Sequence, residues 1–157
     1  MNAIRKLALT ALMACSFVTA IDTTSQNADA GYRHYYSNWQ YNHGYGYHYR
    51  TYYYKPIATY TRYHYHYCIH YPRSRYVYFY NPIRRVFWGR FDTQGKDGAQ
   101  YSLLAPKDQN SELKAIPESA FPAPGPMPAI PNSDDGQQIE AITDLPTTAP
   151  ADLPTSK

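Results

Sequence analysis

Four potential ligands occupy alternate positions in His64-x-His66-x-Cys68-x-His70. Imidazole nitrogen and thiolate sulfur are favoured donors for zinc and copper, so His64, His66, Cys68 and His70 are the candidate metal-ligating residues. Spacing limits what they can do together. On a strand, His64 and His70 lie roughly 20 Å apart, whereas metal–ligand bonds span about 2 Å. One strand therefore offers a neighbouring pair such as His64/His66. Further ligands must come from His34, His43, His48 or another chain. No carboxylate lies within 31–91 to orient a histidine, which weakens a zinc or copper centre. The same absence weakens catalysis. Cys68 and His70 share a strand face, but nothing orients the imidazole as a third group. Ser37 and Ser74 have no identifiable partner. No catalytic residue is assigned, and the expectation is a protein that is not an enzyme.

The element that positions this motif is a strand. Over 60–71, Tyr63, Tyr65, Tyr67, Ile69 and Tyr71 alternate with Arg62, His64, His66, Cys68 and His70. Period two with aromatic enrichment predicts β structure, and Pro72 ends it. Two apolar runs follow, Tyr76–Tyr80 and Val86–Phe91. Asn81-Pro82-Ile83-Arg84-Arg85 between them predicts a hairpin. A polar connection with Asp97-Gly98 at its tightest point leads to Gln100–Leu104, a third strand. The fold expected is mostly β, a small antiparallel meander of three to four strands, with no helix beyond an N-terminal signal. Aliphatic residues are scarce, so the core is built from ring faces: Phe79, Phe87, Trp88 and Phe91, supported by Val77 and Val86. Most tyrosines need water or partners for their hydroxyls and form an exposed platform. The histidines extend that surface and titrate near neutrality.

Residues 31–91 hold eighteen of nineteen tyrosines, all six histidines, nine Lys/Arg and no Asp/Glu. Residues 92–157 hold ten acidic residues and four lysines. Such asymmetry means that the halves meet each other or meet different partners. From Pro106 onward there are ten prolines and one aromatic residue, Phe121. Low hydrophobicity and net negative charge predict a disordered or extended tail. It reads as a solvated spacer, with docking of Phe121 and its prolines on the tyrosines as the alternative. The chain divides into a signal peptide at 1–30, a low-complexity Tyr/His/Gly segment at 31–59, a small β domain at 60–105 and the acidic proline-rich tail at 106–157.

Export is read from Arg5 and Lys6, the uncharged run Leu7–Ala20, and Ala28-Asp29-Ala30 as a cleavage site. The apolar run is shorter than the ~20 residues of a spanning helix. Cleavage after Val18-Thr19-Ala20, a retained anchor and a lipoprotein at Cys15 are lesser alternatives. Processing at Ala30 leaves Cys68 as the single cysteine, either a half-buried small hydrophobe or the link of a disulfide dimer.

Taken together, Tyr67-Cys68-Ile69-His70-Tyr71-Pro72, Trp88-Gly89-Arg90-Phe91-Asp92, Tyr101-Ser102-Leu103-Leu104, Ile116-Pro117-Glu118-Ser119-Ala120-Phe121-Pro122 and Pro124-Gly125-Pro126-Met127-Pro128 resemble small exported tyrosine-rich proteins of planctomycete bacteria. The likeness spans about 60–130. It implies a bacterial exported protein of uncharacterised function and brings no catalytic residues.

The leading expectation is a structural or interaction protein of the envelope or extracellular matrix, secreted or periplasmic. Its basic adhesive surface comprises Tyr63, Tyr65, Tyr67, Tyr71, Arg84, Arg85, Trp88 and Arg90. Envelope polymers or other exported proteins are the partners. A metal-binding protein and an anionic glycan-binding module are the alternatives. Arginines among rings also suit single-stranded nucleic acid, but export argues against it.

Overall fold

In the computed structural model, residues 32–146 are described. The expected signal peptide, including Cys15, and the residues from 147 onward lie outside them. Seven strands form one antiparallel sheet: β1 (His34–Tyr36), β2 (Gln40–Asn42), β3 (Tyr47–Tyr54), β4 (His64–His70), β5 (Tyr76–Asn81), β6 (Val86–Lys96) and β7 (Ala99–Leu103). The order is β1-β3-β4-β5-β6-β7, with β2 also paired to β3. The meander is present from β3 to β7, but three to four strands is an undercount.

The extra strands come from the low-complexity segment at 31–59. In Tyr47–Tyr54, every second side chain is buried: His48, Arg50, Tyr52 and Tyr54. Its turn is closed by Asn42, whose Oδ1 accepts from the backbone N–H of Gly44 at 3.1 Å and of Tyr45 at 3.2 Å. Gly46, at φ +68°, occupies the left-handed position. β1 and β2 make one edge interrupted at Ser37, whose Oγ accepts from Thr51 N–H at 2.9 Å. Two three-residue strands separated by a kink make a poor template for edge pairing.

The β5–β6 hairpin forms where the sequence placed it. Asn81 Oδ1 accepts from Ile83 and Arg84 N–H, both at 3.0 Å. Asp97-Gly98 turns β6 into β7 with Gly98 at φ +78°. At Gly89 an added Cβ would lie 2.9 Å from Leu103 Cδ2 and 3.0 Å from Ser102 O. That close approach of β6 to β7 requires glycine.

The larger correction concerns the stretch from 106, expected as a disordered or extended tail. Through 146 it lies along the sheet, with three single 3-10 turns at Pro106–Asp108, Leu113–Ala115 and Glu118–Ala120. Its four isoleucines, Ile116, Ile130, Ile139 and Ile142, are buried. Prolines restrict the unfolded chain, so ordering such a segment costs less entropy than its length suggests. Main-chain pairing adds support: Gly125 N–H donates to Tyr101 O at 2.7 Å, and Ile130 N–H donates to Gln137 O at 2.7 Å.

The sheet has a core on each side. On the inner face, Tyr52, Cys68, Val77, Phe79, Phe91 and Tyr101 pack against Ile130, Ile139 and Ile142. On the outer face, Ile69 and Phe87 pack with Leu104 and Ile116. Phe79, Phe87, Phe91 and Val77 are buried as expected, while Trp88 and Val86 are only partly so.

Candidate functional site: an open tyrosine face

The β4 alternation is as read, but its polarity is reversed. The histidine–cysteine side is the inner, buried face, and the tyrosine side is the outer one. His66 is 2% exposed and Cys68 is 0% exposed. The His66 ring sits among Tyr52, Tyr54, Phe79 and Trp88, with centroid distances of 5.0 to 5.9 Å. Desolvation pushes its pKa down to about 3, so it stays neutral rather than titrating near neutrality. His70 is buried, with Nε2 3.0 Å from Ser74 O. His64 is exposed and stacks with Tyr54 and Tyr60. Desolvation pushes the Cys68 thiol up to about 12, with Arg50 pulling partly back. A thiol without solvent exposure cannot bridge to another chain while the fold is intact. Among the described residues, no group of three or more His, Cys, Asp or Glu side chains is gathered to hold a metal.

Arg50 explains how so polar a face is buried. Its guanidinium, 3% exposed, lies 3.8 Å from the Tyr36 ring centroid and 4.7 Å from that of Trp39. Its Nη1 donates to Asp144 at 2.7 Å. Trp39 Nε1 donates to the Asp144 carbonyl at 3.0 Å, and Tyr36 Oη donates to that of Glu140 at 2.8 Å. Arg33 pairs with Asp135. On the outer face, Arg90 forms a fork on Glu118 at 2.8 and 2.6 Å and lies between Tyr76 and Phe121, at 3.9 and 4.0 Å. The basic and acidic halves of the chain thus meet each other. The docking of Phe121, held as the alternative to a free spacer, is the arrangement found.

These contacts leave part of the outer face open. Phe121 covers the β5–β6 side through Tyr78 and Arg90. On β1, β3 and β4 and just beyond them, Tyr35, Tyr47, Tyr49, Tyr53, Tyr63, Tyr65, Tyr67 and Tyr71 all keep solvent exposure. Their rings form a continuous network with centroid spacings of 4.9 to 6.4 Å. The register causes this: Tyr53 faces Tyr65, Thr51 faces Tyr67 and Tyr49 faces Ile69. A recess of about 230 Å³ opens between Asn42, Tyr47, Tyr49, Tyr67 and Ile69. Lys55 Nζ stands 4.8 Å from the Tyr63 ring centroid. Desolvation and neighbouring phenols raise the pKa values of Tyr47 and Tyr67. The face is therefore an array of neutral phenols beside cations, able to stack and to exchange hydrogen bonds.

Of the residues expected on the binding surface, Tyr63, Tyr65, Tyr67 and Tyr71 lie on this face. Arg84 and Arg85 are exposed at the β5–β6 turn. Trp88 points to the inner face and stacks on Phe79 at 4.9 Å. Arg90 is buried by Glu118 and Phe121. Tyr35, Tyr47, Tyr49 and Tyr53 were missed. The alternation within Tyr47–Tyr54 carried the signal for the last three. Compared with known proteins, the chain matches no family model, no curated protein and no solved structure.

Proposed function

We propose that this is an exported bacterial structural or interaction protein of the envelope or extracellular matrix, and that the tyrosine face of β1, β3 and β4 is its adhesive surface. The observation that carries the reading is selective coverage. The chain lays its own C-terminal segments over the inner face and over the β5–β6 side of the outer face, yet leaves eight linked tyrosine rings in contact with solvent. Exposed aromatic patches of this kind mark interaction sites. Rings supply large, rigid contact area at low entropic cost, and Lys55, Arg62, Arg84 and Arg85 favour anionic partners. The role is binding rather than catalysis. The test is retention of the mature protein on isolated envelope material across a salt series. Retention that weakens as salt rises, and that drops in Tyr65→Ser/Tyr67→Ser, supports the reading. No retention at low salt refutes it.

A further inference from the structure

The tyrosines of the open face form a row with two exposed ends. Tyr45, at the β2–β3 turn, stacks on Tyr47 with centroids 5.9 Å apart. At the other edge, Tyr35 of β1 stacks on Tyr53 at 4.9 Å. Tyr49, Tyr67 and Tyr65 join the two at spacings of 6.0 to 6.3 Å, within the range of aromatic contact. Exposure peaks at the ends: Tyr45 is 75% and Tyr35 39% exposed, while the rings between them are half-buried. Side chains that would compete for an oxidant lie elsewhere. Cys68 is fully buried, and Trp39, Trp88 and Met127 pack against the inner core. Among the described residues, the readily oxidised groups of the outer face are all phenols.

We propose that this row is an oxidative cross-linking site, through which Tyr45 and Tyr35 couple to the same residues of further copies of this chain. The co-reactant is hydrogen peroxide, used by a peroxidase as a one-electron oxidant. Each of two phenols loses one electron and its hydroxyl proton, leaving a phenoxyl radical. One carbon–carbon bond forms between ring carbons ortho to the oxygens, and the two hydrogens on those carbons return to the oxygens. The peroxide O–O bond breaks and takes up the two electrons and two protons as two waters. Rings in contact exchange electrons, so a radical made anywhere in the row reaches an exposed end, where a second copy can approach. With one coupling ring at each end, a copy joins two others, as a chain-forming unit must. The buried thiol of Cys68 offers the folded chain no such link. The inference rests on the structural role proposed above, in covalent rather than adhesive form.

The test is treatment of the purified protein with a haem peroxidase and hydrogen peroxide, read by reducing denaturing gels, dityrosine fluorescence and mass mapping of linked peptides. Tyr32 is the internal control: it is 82% exposed, but no ring contact ties it to the row among the described residues. A ladder of fluorescent oligomers is expected, linked at Tyr45 and Tyr35 ahead of Tyr32. Tyr35→Phe/Tyr45→Phe should lose most of the ladder, and Tyr32→Phe should keep it. Tyr49→Phe/Tyr67→Phe, which retains both end phenols and interrupts the row, should lower the yield at the ends. Dityrosine confined within single chains, linkage ranked by exposure with Tyr32 first, or an unchanged ladder in either double variant each overturns the proposal. Envelope material is absent throughout, so failure here and failure of adhesion are told apart.

Discussion

The two faces of the sheet draw on one composition, rings interleaved with basic and polar side chains, and come to opposite ends. The inner face carries His48, Arg50, His66 and His70 and is buried. The outer face of β1, β3 and β4 carries mainly tyrosines and stays partly wet. Hydropathy alone ranks them the other way. What separates them is the supply of partners. The C-terminal segment brings Asp144, Asp135 and three isoleucines to the inner face. A guanidinium between two rings and a carboxylate can be buried, whereas phenol hydroxyls, of which Tyr49 donates to Gln40 Oε1 and Tyr63 to the Tyr32 carbonyl, are well served by water.

The largest effect should come from removing what distinguishes the faces. Deleting 127–157 strips Ile130, Ile139 and Ile142 from the inner core. At about 1.5–3 kcal/mol for each fully buried side chain, the loss rivals the whole stability of a small domain, about 5–15 kcal/mol. The truncated chain should lose cooperative thermal unfolding. A sharp transition at the original midpoint would break the comparison.

Single rings should divide the same way. Phe79→Ala on the inner face should cost about 3–5 kcal/mol in denaturant unfolding. Tyr65→Ala on the open face should cost about 1 kcal/mol or less, the scale of one cross-strand pair. Equal costs would mean that the outer face is structural rather than available.

Acid should act first on the inner face. The pKa of His66 is pushed below its ordinary 6.5 to about 3, and that of His34 is lowered as well, both chiefly by desolvation. The stabilising contribution of neutral His66 is therefore complete above pH 6.5 and falls as pH drops towards 3, and that of His34 falls in the same direction. One such proton is worth about 1.4 kcal/mol per pH unit, so His66 alone should remove about 2 kcal/mol between pH 6.5 and 5. Arg90 and Arg75 hold the carboxyls of Glu118 and Asp92 below their usual range, which extends the loss in the same direction at lower pH. Denaturant midpoints at pH 7.5 and 5 measure the effect, and His66→Gln should flatten it. The smallest effect is kinetic. Cys68, buried with its thiol pushed up to about 12, should resist a thiol reagent at pH 8 in the native protein and react once denaturant is added. Rapid native labelling would show that the inner face opens.

Much of the framework was legible in the sequence. The period-two pattern of β4, the Asn81-Pro82 turn and Asp97-Gly98 each lie where local chemistry placed them. Three features were not. The full length of β3 was hidden because the pieces around Gly44 and Gly46 read as low complexity, although those glycines are in the turn that creates the strand. The burial of His66 and Cys68 depends on rings from β3 and β6 that close around them, a tertiary fact that local polarity cannot report. The cover was missed because Ile116, Ile130, Ile139 and Ile142 are diluted among prolines. They matter through position rather than number.

Chemical footprinting of the tyrosines, with and without envelope material, tests the division between the faces most directly. Nitration followed by peptide mass mapping should modify Tyr35, Tyr63, Tyr65 and Tyr67 in the free protein and spare Tyr52, Tyr54 and Tyr101. Bound material should then protect Tyr63, Tyr65 and Tyr67. Reactive Tyr52 and Tyr54, or binding that leaves Tyr63, Tyr65 and Tyr67 as reactive as before, would contradict the assignment of the open tyrosine face as the adhesive surface.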